Sequence, residues 1–300
     1  MRGMALGLAL GGGGARGLAH VGVLRVLERE RIPIAAIAGT SSGAVVGALY
    51  ALRPDIGWVG RHLQQALQSD AFRRMRLELL EEREGGTKLT KRLYHMARRI
   101  YVLQRETTRL GLVSAKVIDD FVAAAIPDAR AEETRIPFAA VAVDLVTGED
   151  VVFRHGSLRT MVRASLSRVG VIPPLSLDNQ VLVDGGTTNL LPTDAARALG
   201  VDLVLGVDVR SHLRRAAEFH NGVEIVNRAA AITATRLHEV LLARADMVIA
   251  PDVKTVQWAN FKRLDYCIQR GEETMNHELP RLQGLLRRRE MTTLLTRLWG

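Results

Sequence analysis

The stretch from Ala5 to Gly43, ALGLALGGGGARGLAHVGVLRVLERERIPIAAIAGTSSG, decides the fold. Ala5 to Leu10 is a short apolar run closed by glycine, the form of a strand buried on both faces. Helical spacing begins at once: Leu18, Val21, Leu24 and Leu27 recur every three residues, with Arg25, Glu28, Arg29 and Glu30 largely opposite, and Pro33 ends the element. Ile34 to Ala38 reads as a second strand, and Gly43 to Leu52 as a helix whose small residues permit close packing. Strand, helix, strand, helix is the pattern of an α/β domain with a mainly parallel sheet.

Composition sets the limits. The 300 residues are 47% hydrophobic and 24% charged, enough to bury a large core. Lysine and arginine exceed the acids by 41 to 32, so the net charge of +9 draws the surface towards polyanions such as phospholipid headgroups or nucleic acid. Aromatic residues are only 4% and no zinc, helix-turn-helix or RNA-reading motif appears, so no specific nucleic-acid partner is expected. Cys267 is the only cysteine, which excludes an internal disulfide and a structural zinc site. Ile34 to Leu52 approaches the length of a membrane span, but the glycines and hydroxyls at its centre favour strand, turn and helix. Met1 to Leu10 runs into glycines without a signal-peptide cleavage pattern. The expected location is cytoplasmic, with peripheral contact at the inner face of an anionic membrane.

Further along, charge rises between Gln64 and Leu110, which reads as a helical insertion. Its second half, Lys88 to Arg109, is strongly basic and suits either a solvated helix or a surface that meets anionic lipid. Strand signals return at Phe138 to Val143, Val151 to Phe153, Val181 to Val183 and Leu203 to Val207. Thr147-Gly148 supplies a turn, and a helix from Pro192 to Leu199 stops at Gly200. From Ala216 onward the pattern is mostly helical. The expected organisation is one domain over 1–300, with its core at about 4–210, the insertion at about 64–110 and a helical region at about 216–300.

Two glycine-flanked turns carry the chemistry. Gly11-Gly12-Gly13-Gly14-Ala15-Arg16-Gly17 lets a backbone approach a ligand and aim its N–H groups at negative charge. A dinucleotide loop also wants an acid at the end of the next strand, where Gly39 and Thr40 stand, and a phosphate loop wants lysine where Leu18 stands. An oxyanion hole fits what is left. Gly39-Thr40-Ser41-Ser42-Gly43 is G-x-S-x-G between strand and helix, a turn that projects Ser41 as a nucleophile, whereas Ser42 reads as a helix-start hydroxyl. No histidine sits in a loop with catalytic features. Asp184 closes the strand Val181 to Val183 before Gly185-Gly186, which places its carboxylate at a sheet edge on a tight turn. Arg16 reads more readily as a brace for the glycine loop, through backbone carbonyls, than as a headgroup ligand; Asp144 and Asp208 read as structural. No metal or cofactor is called for.

In order, GGGGARG, GTSSG and DGG resemble the three-part signature of the patatin-like phospholipase family, and Arg163-Ala164-Ser165 through Pro173-Pro174, Asn189 to Pro192, Leu203 to Asp208 and Ala245 to Pro251 extend the likeness. It is nearest to compact bacterial members related to the esterase domain of neuropathy target esterase. The resemblance implies a three-layer α/β/α fold and a Ser-Asp dyad without histidine, on Ser41 and Asp184. It also implies oxyanion donors at Gly12, Gly13 and Gly14, supported by Arg16, Gly17, Gly39, Gly43, Gly185 and Gly186. Where many relatives have Ile-Pro-Gly this chain has Arg168-Val169-Gly170, a departure that touches substrate preference more than catalysis. The activity implied is hydrolysis of lipid acyl esters, lysophospholipid or phospholipid, through an acyl-enzyme. An acyltransferase on the same dyad and a non-catalytic binding protein on the same scaffold are the alternatives, and nothing in the sequence sets an oligomeric state.

Overall fold

In the first strand Leu6, Leu8 and Leu10 face one way and Ala9 the other, and this alternation sets the layers of the molecule. A computed structural model describes residues 4–80, 110–213, 215 and 218–299. The basic stretch Lys88 to Arg109 lies outside the described residues. Eight strands form one sheet: β1 (Leu6–Leu10), β2 (Ile34–Thr40), β3 (Phe138–Asp144), β4 (Asp150–Phe153), β5 (Leu175–Leu177), β6 (Gln180–Asp184), β7 (Leu203–Val207) and β8 (Met247–Ile249). The chain β8-β7-β1-β2-β3 is parallel throughout, and β4, β5 and β6 join it antiparallel.

Helices cover both faces. The leucine face of the sheet meets α1 (Ala19–Arg29), α2 (Ser42–Leu52), α3 (Ile56–Gln68), α4 (Asp70–Arg74), α5 (Ala115–Ala125), part of α6 (Leu158–Ser165) and α9 (Leu264–Trp299). On the other face Ala9, Ala36, Ala38 and Ala139 leave room for the short α7 (Thr193–Arg197) to lie close, with the end of α8 (Gly222–Leu242) beside it. This is the three-layer α/β/α arrangement expected.

The register places the carboxyl ends of the central strands level. Leu10 pairs with Gly39 on one side and Val207 on the other, so the glycine loop and the Ser41 turn leave adjacent strands at one height. Ligands of open α/β sheets bind at that end. The antiparallel strands add a second convergence. β4 occupies one edge of β3 opposite residues 140–143, so β2, opposite 138–141, and β6, opposite 142–144, must share the other edge. They meet end to end: Thr40 faces Val141 and Asp184 faces Ala142, one residue further on.

Two expectations need correction. The core does not end at about residue 210: within the mostly helical region after Ala216, β8 pairs with β7 and extends the parallel sheet. Three-residue strands show no alternation to read, so β5 and β8 left no trace in the pattern. Nor is Asp184 at a sheet edge: β5 and β3 flank β6, and the carboxylate stands at a strand end inside the sheet. Among the described residues no helix is long and apolar enough to cross a membrane.

Candidate active site

Ser41 sits between β2 and α2 with φ 55° and ψ −121°, a left-handed backbone that a residue with a Cβ avoids at a cost of roughly 1–3 kcal/mol. The turn is held from outside. Its N–H donates to Ser165 Oγ at 2.8 Å, and that hydroxyl donates to the Val141 carbonyl at 2.7 Å, wholly buried. Space for the turn comes from Gly43, where a Cβ would stand 2.0 Å from the Leu10 carbonyl oxygen, so α2 can start directly against the end of β1. Gly39 packs under the same turn, against Gly43 and Ala44.

The end-to-end meeting of β2 and β6 puts Asp184 beside Ser41. Asp184 is 7% exposed; its Oδ1 accepts from the Gly186 N–H at 2.7 Å, and the Ser41 hydroxyl is near enough to the carboxylate to favour its charged form. Burial pushes its pKa above the ordinary carboxylate value, against the Gly186 hydrogen bond, the nearby Ser41 hydroxyl and the positive charge of Arg168, which pull it down. Gly185 passes so close over β3 that a Cβ would meet the Val141 carbonyl. The loop then ties the site together: the Thr40 hydroxyl donates to the Asn189 carbonyl at 2.9 Å and the Gly12 N–H to the Leu190 carbonyl at 3.0 Å.

The glycine loop lies on the other flank of Ser41. Gly14 has φ +60°, and a Cβ there would come 2.3 Å from the Trp258 carbonyl oxygen, so this position requires glycine. Of the three expected oxyanion donors, Gly12 is engaged by Leu190 and Gly13 donates to Ser42 Oγ at 3.0 Å; the Gly14 N–H has no hydrogen bond to another described residue. Ser42 thus steadies the glycine loop from the first turn of α2, with Gly17 packed against its hydroxyl.

Arg16 points away from the site. Buried, it donates from Nε to the Val209 carbonyl at 2.9 Å and from a terminal nitrogen to the Val256 carbonyl at 3.0 Å, bracing the loop as the sequence reading favoured. Desolvation lowers its pKa to about 10. Asp144 accepts from the N–H groups of Val146 in the β3–β4 turn and of Val181 in β6, and Asp208 pairs with His238 at 3.0 Å. His20 is fully buried with Nε2 on the Gly11 carbonyl at 2.8 Å. No histidine lines the cleft among the described residues, and no group of residues there is arranged to hold a metal ion.

A cleft of about 790 Å³, counting the space open to solvent, runs from Ser41 between α2, α3, α4 and α5. Val45, Leu63, Phe72, Ile118, Phe121 and Phe261 make its walls apolar, and Ser41, Ser42 and Arg168 supply polarity at one end. Two contributors escaped the sequence reading. Ser165 falls in the stretch that extends the family likeness, but nothing in its type or spacing points to its role, and Trp258, whose carbonyl also accepts from the Ala15 N–H at 2.7 Å, carries no signal because its role is played by backbone.

A model of the patatin-like phospholipase family matches residues 8–197. Patatin-like phospholipase domain-containing protein 7 of Mus musculus is 32% identical over 213 residues, 70% of this chain and 14% of that protein. An NTE family protein of Mycobacterium tuberculosis is 33% identical over 241 residues, 79% of this chain and 59% of its own length. The chain therefore spans between about a seventh and three fifths of these relatives. The crystal structure of VipD from Legionella pneumophila superposes with a TM-score of 0.51 at 15% identity, covering 93% of this chain and 67% of that one, a likeness of fold.

Proposed function

The chain belongs to the patatin-like phospholipase family, and from that premise we propose that it hydrolyses acyl esters of lipids, with Ser41 as nucleophile and Asp184 as its proton carrier. The observation that carries this reading is the meeting of the strained Ser41 and the buried Asp184 at adjoining strand ends, with Ser41 opening on an apolar cleft. The Ser41 proton passes to the Asp184 carboxylate as Oγ bonds to the acyl carbon. Negative charge gathers on the former carbonyl oxygen. Next the carbon–oxygen bond to the alcohol breaks, the alcohol takes the proton from Asp184, and an acyl-serine is left. Water then gives a proton to Asp184 and attacks; the acyl–Oγ bond breaks, Ser41 recovers its proton and the fatty acid leaves.

An ordinary aspartate, with a pKa of about 3.9, is a weak base at neutral pH. Burial makes Asp184 a stronger one. For the oxyanion, the Gly14 N–H is the donor already free, Gly13 joins on turning from Ser42, and the α2 N-terminus adds its dipole. The acyl chain lies along the apolar cleft.

Hydrolysis of an acyl-chain series of lysophospholipids and simple esters is the test, with Ser41→Ala and Asp184→Asn beside the unaltered protein. Activity confined to the unaltered protein is expected, with free fatty acid as product; transfer of the acyl group to an added alcohol at the expense of hydrolysis would favour an acyltransferase. Turnover by Ser41→Ala at the unaltered rate would end the assignment. Peripheral contact with anionic lipid belongs to the same reading, supported by the +9 charge, and co-sedimentation with anionic but not neutral vesicles checks it.

A further inference from the structure

Arg168 is the only charged residue among the described residues that line the cleft, and Ser41 and Ser42 line the same cleft. Its position is fixed on two sides. The guanidinium carbon lies 4.3 Å from the centre of the Trp258 ring, whose own backbone is held against the glycine loop. Beneath it, the buried Arg163 bonds Ser167 Oγ at 2.5 Å and the Pro173 carbonyl at 3.2 Å, which pins the segment that carries Arg168.

Stacking occupies the face of a guanidinium and leaves its rim of N–H donors available. The other two arginines nearby are spent on structure, Arg16 on two carbonyls and Arg163 on Asp119, Ser167 and Pro173. Solvent reaches Arg168, and among the described residues it forms no ion pair. Its charge is felt by Asp184, the group that hands a proton to the departing alcohol in the reading above. In that reading a headgroup joined to the departing alcohol comes within reach of the same charge, and a planar fork of donors suits a phosphate.

We propose that Arg168 is the headgroup-recognition residue of the cleft, taking the phosphate of an acyl glycerophosphate lipid and so favouring phosphate-bearing esters over neutral ones. The inference rests on the proposed lipid esterase activity. A residue that merely tuned Asp184 would alter every ester alike and would shift the pH profile; one that binds headgroup phosphate discriminates between esters at fixed acyl chain.

The experiment compares lysophosphatidylglycerol with monoacylglycerol of the same acyl chain, for the unaltered protein, Arg168→Gln and Arg168→Lys, each on the plateau of its own pH profile. Arg168→Gln is expected to lose roughly tenfold or more in kcat/KM on the phospholipid, mainly through KM, as befits a lost charge-assisted hydrogen bond. Removing the charge also acts on Asp184, so the readout is the ratio of kcat/KM between the two lipids, which should fall roughly tenfold, and an unchanged melting temperature shows the variant folded. Lysine, which keeps the charge but not the fork, should restore part of the loss. Equal losses on both lipids would overturn the proposal. So would inhibition of monoacylglycerol hydrolysis by inorganic phosphate without any preference between the lipids, since the site would then take free phosphate. Binding of lysophosphatidylglycerol micelles to Ser41→Ala, with and without Arg168→Gln, gives a second readout that needs no turnover: unchanged affinity would refute the role of Arg168, whereas absent hydrolysis with Arg168-dependent binding would refute only the esterase reading.

Discussion

Ser165→Ala removes one hydroxyl that holds the Ser41 turn from both sides. It accepts from the Ser41 N–H at 2.8 Å and donates to the Val141 carbonyl at 2.7 Å in a fully buried position. The substitution adds no bulk, so its cost is the two polar groups left unpaired. At roughly 1–3 kcal/mol for a buried group, eased by relaxation, the expected loss is about 2–4 kcal/mol. With an unfolding entropy of about 2.1 cal/mol/K per residue, a chain of this length should melt about 3–6 °C lower. Activity should suffer more than stability suggests. Without its anchor Ser41 can give up the left-handed backbone that stores roughly 1–3 kcal/mol, and its hydroxyl then leaves Asp184. We expect kcat to fall roughly 10- to 100-fold with KM little changed, measured on a soluble short-chain ester well below the melting temperature. A variant that melts lower yet keeps full kcat would show that Ser165 supports the fold without holding the nucleophile, and the reasoning would be wrong.

Asp184→Asn should raise the melting temperature at neutral pH while abolishing turnover: because burial puts the folded pKa above the unfolded one, the ionised carboxylate weakens the fold at every pH above that window, and a neutral amide removes the penalty. A lower melting temperature at pH 7 would contradict this. His20 works in the opposite sense. Burial lowers its pKa from 6.5 to about 4, so the native state resists a proton that the unfolded chain accepts, and stability should decline as pH falls from about 6.5 towards 4, by about 3 kcal/mol in all. Denaturant titrations across that range should show the decline in the unaltered protein and a flatter profile in His20→Gln, whose amide can still donate to the Gly11 carbonyl. Gly14→Ala should unfold or inactivate the protein, since the methyl would meet the Trp258 carbonyl at 2.3 Å with φ +60°; soluble, active Gly14→Ala would refute that packing.

The core strands were legible because they are apolar runs closed by glycine or acid: β1 stops at Leu10 before Gly11 and β7 at Val207 before Asp208, whereas β2 runs on through Gly39 to Thr40 and the antiparallel β6 through Asp184. Ser41 and Asp184 could be named from their turns. Their adjacency could not, because it depends on β4 taking one edge of β3 and leaving the other to β2 and β6 in succession, a matter of pairing between segments a hundred residues apart. The same holds for Ser165, which reaches Ser41 across 124 positions of chain. The family resemblance implies Gly12 and Gly13 as donors, and the structure engages both N–H groups with partners from later in the chain, Leu190 and Ser42. Arg168 stood out as a departure from the family pattern, but its stacking on Trp258 needed the fold to bring residues 90 apart together.

Covalent capture reads the proposed reaction at a single atom. Treated with a fluorophosphonate and mapped by peptide mass, the unaltered protein should carry one adduct, on Ser41; Ser41→Ala should carry none, and Asp184→Asn should label far more slowly. An adduct on any other residue, or labelling of Asp184→Asn at the unaltered rate, would contradict a serine activated by that one carboxylate.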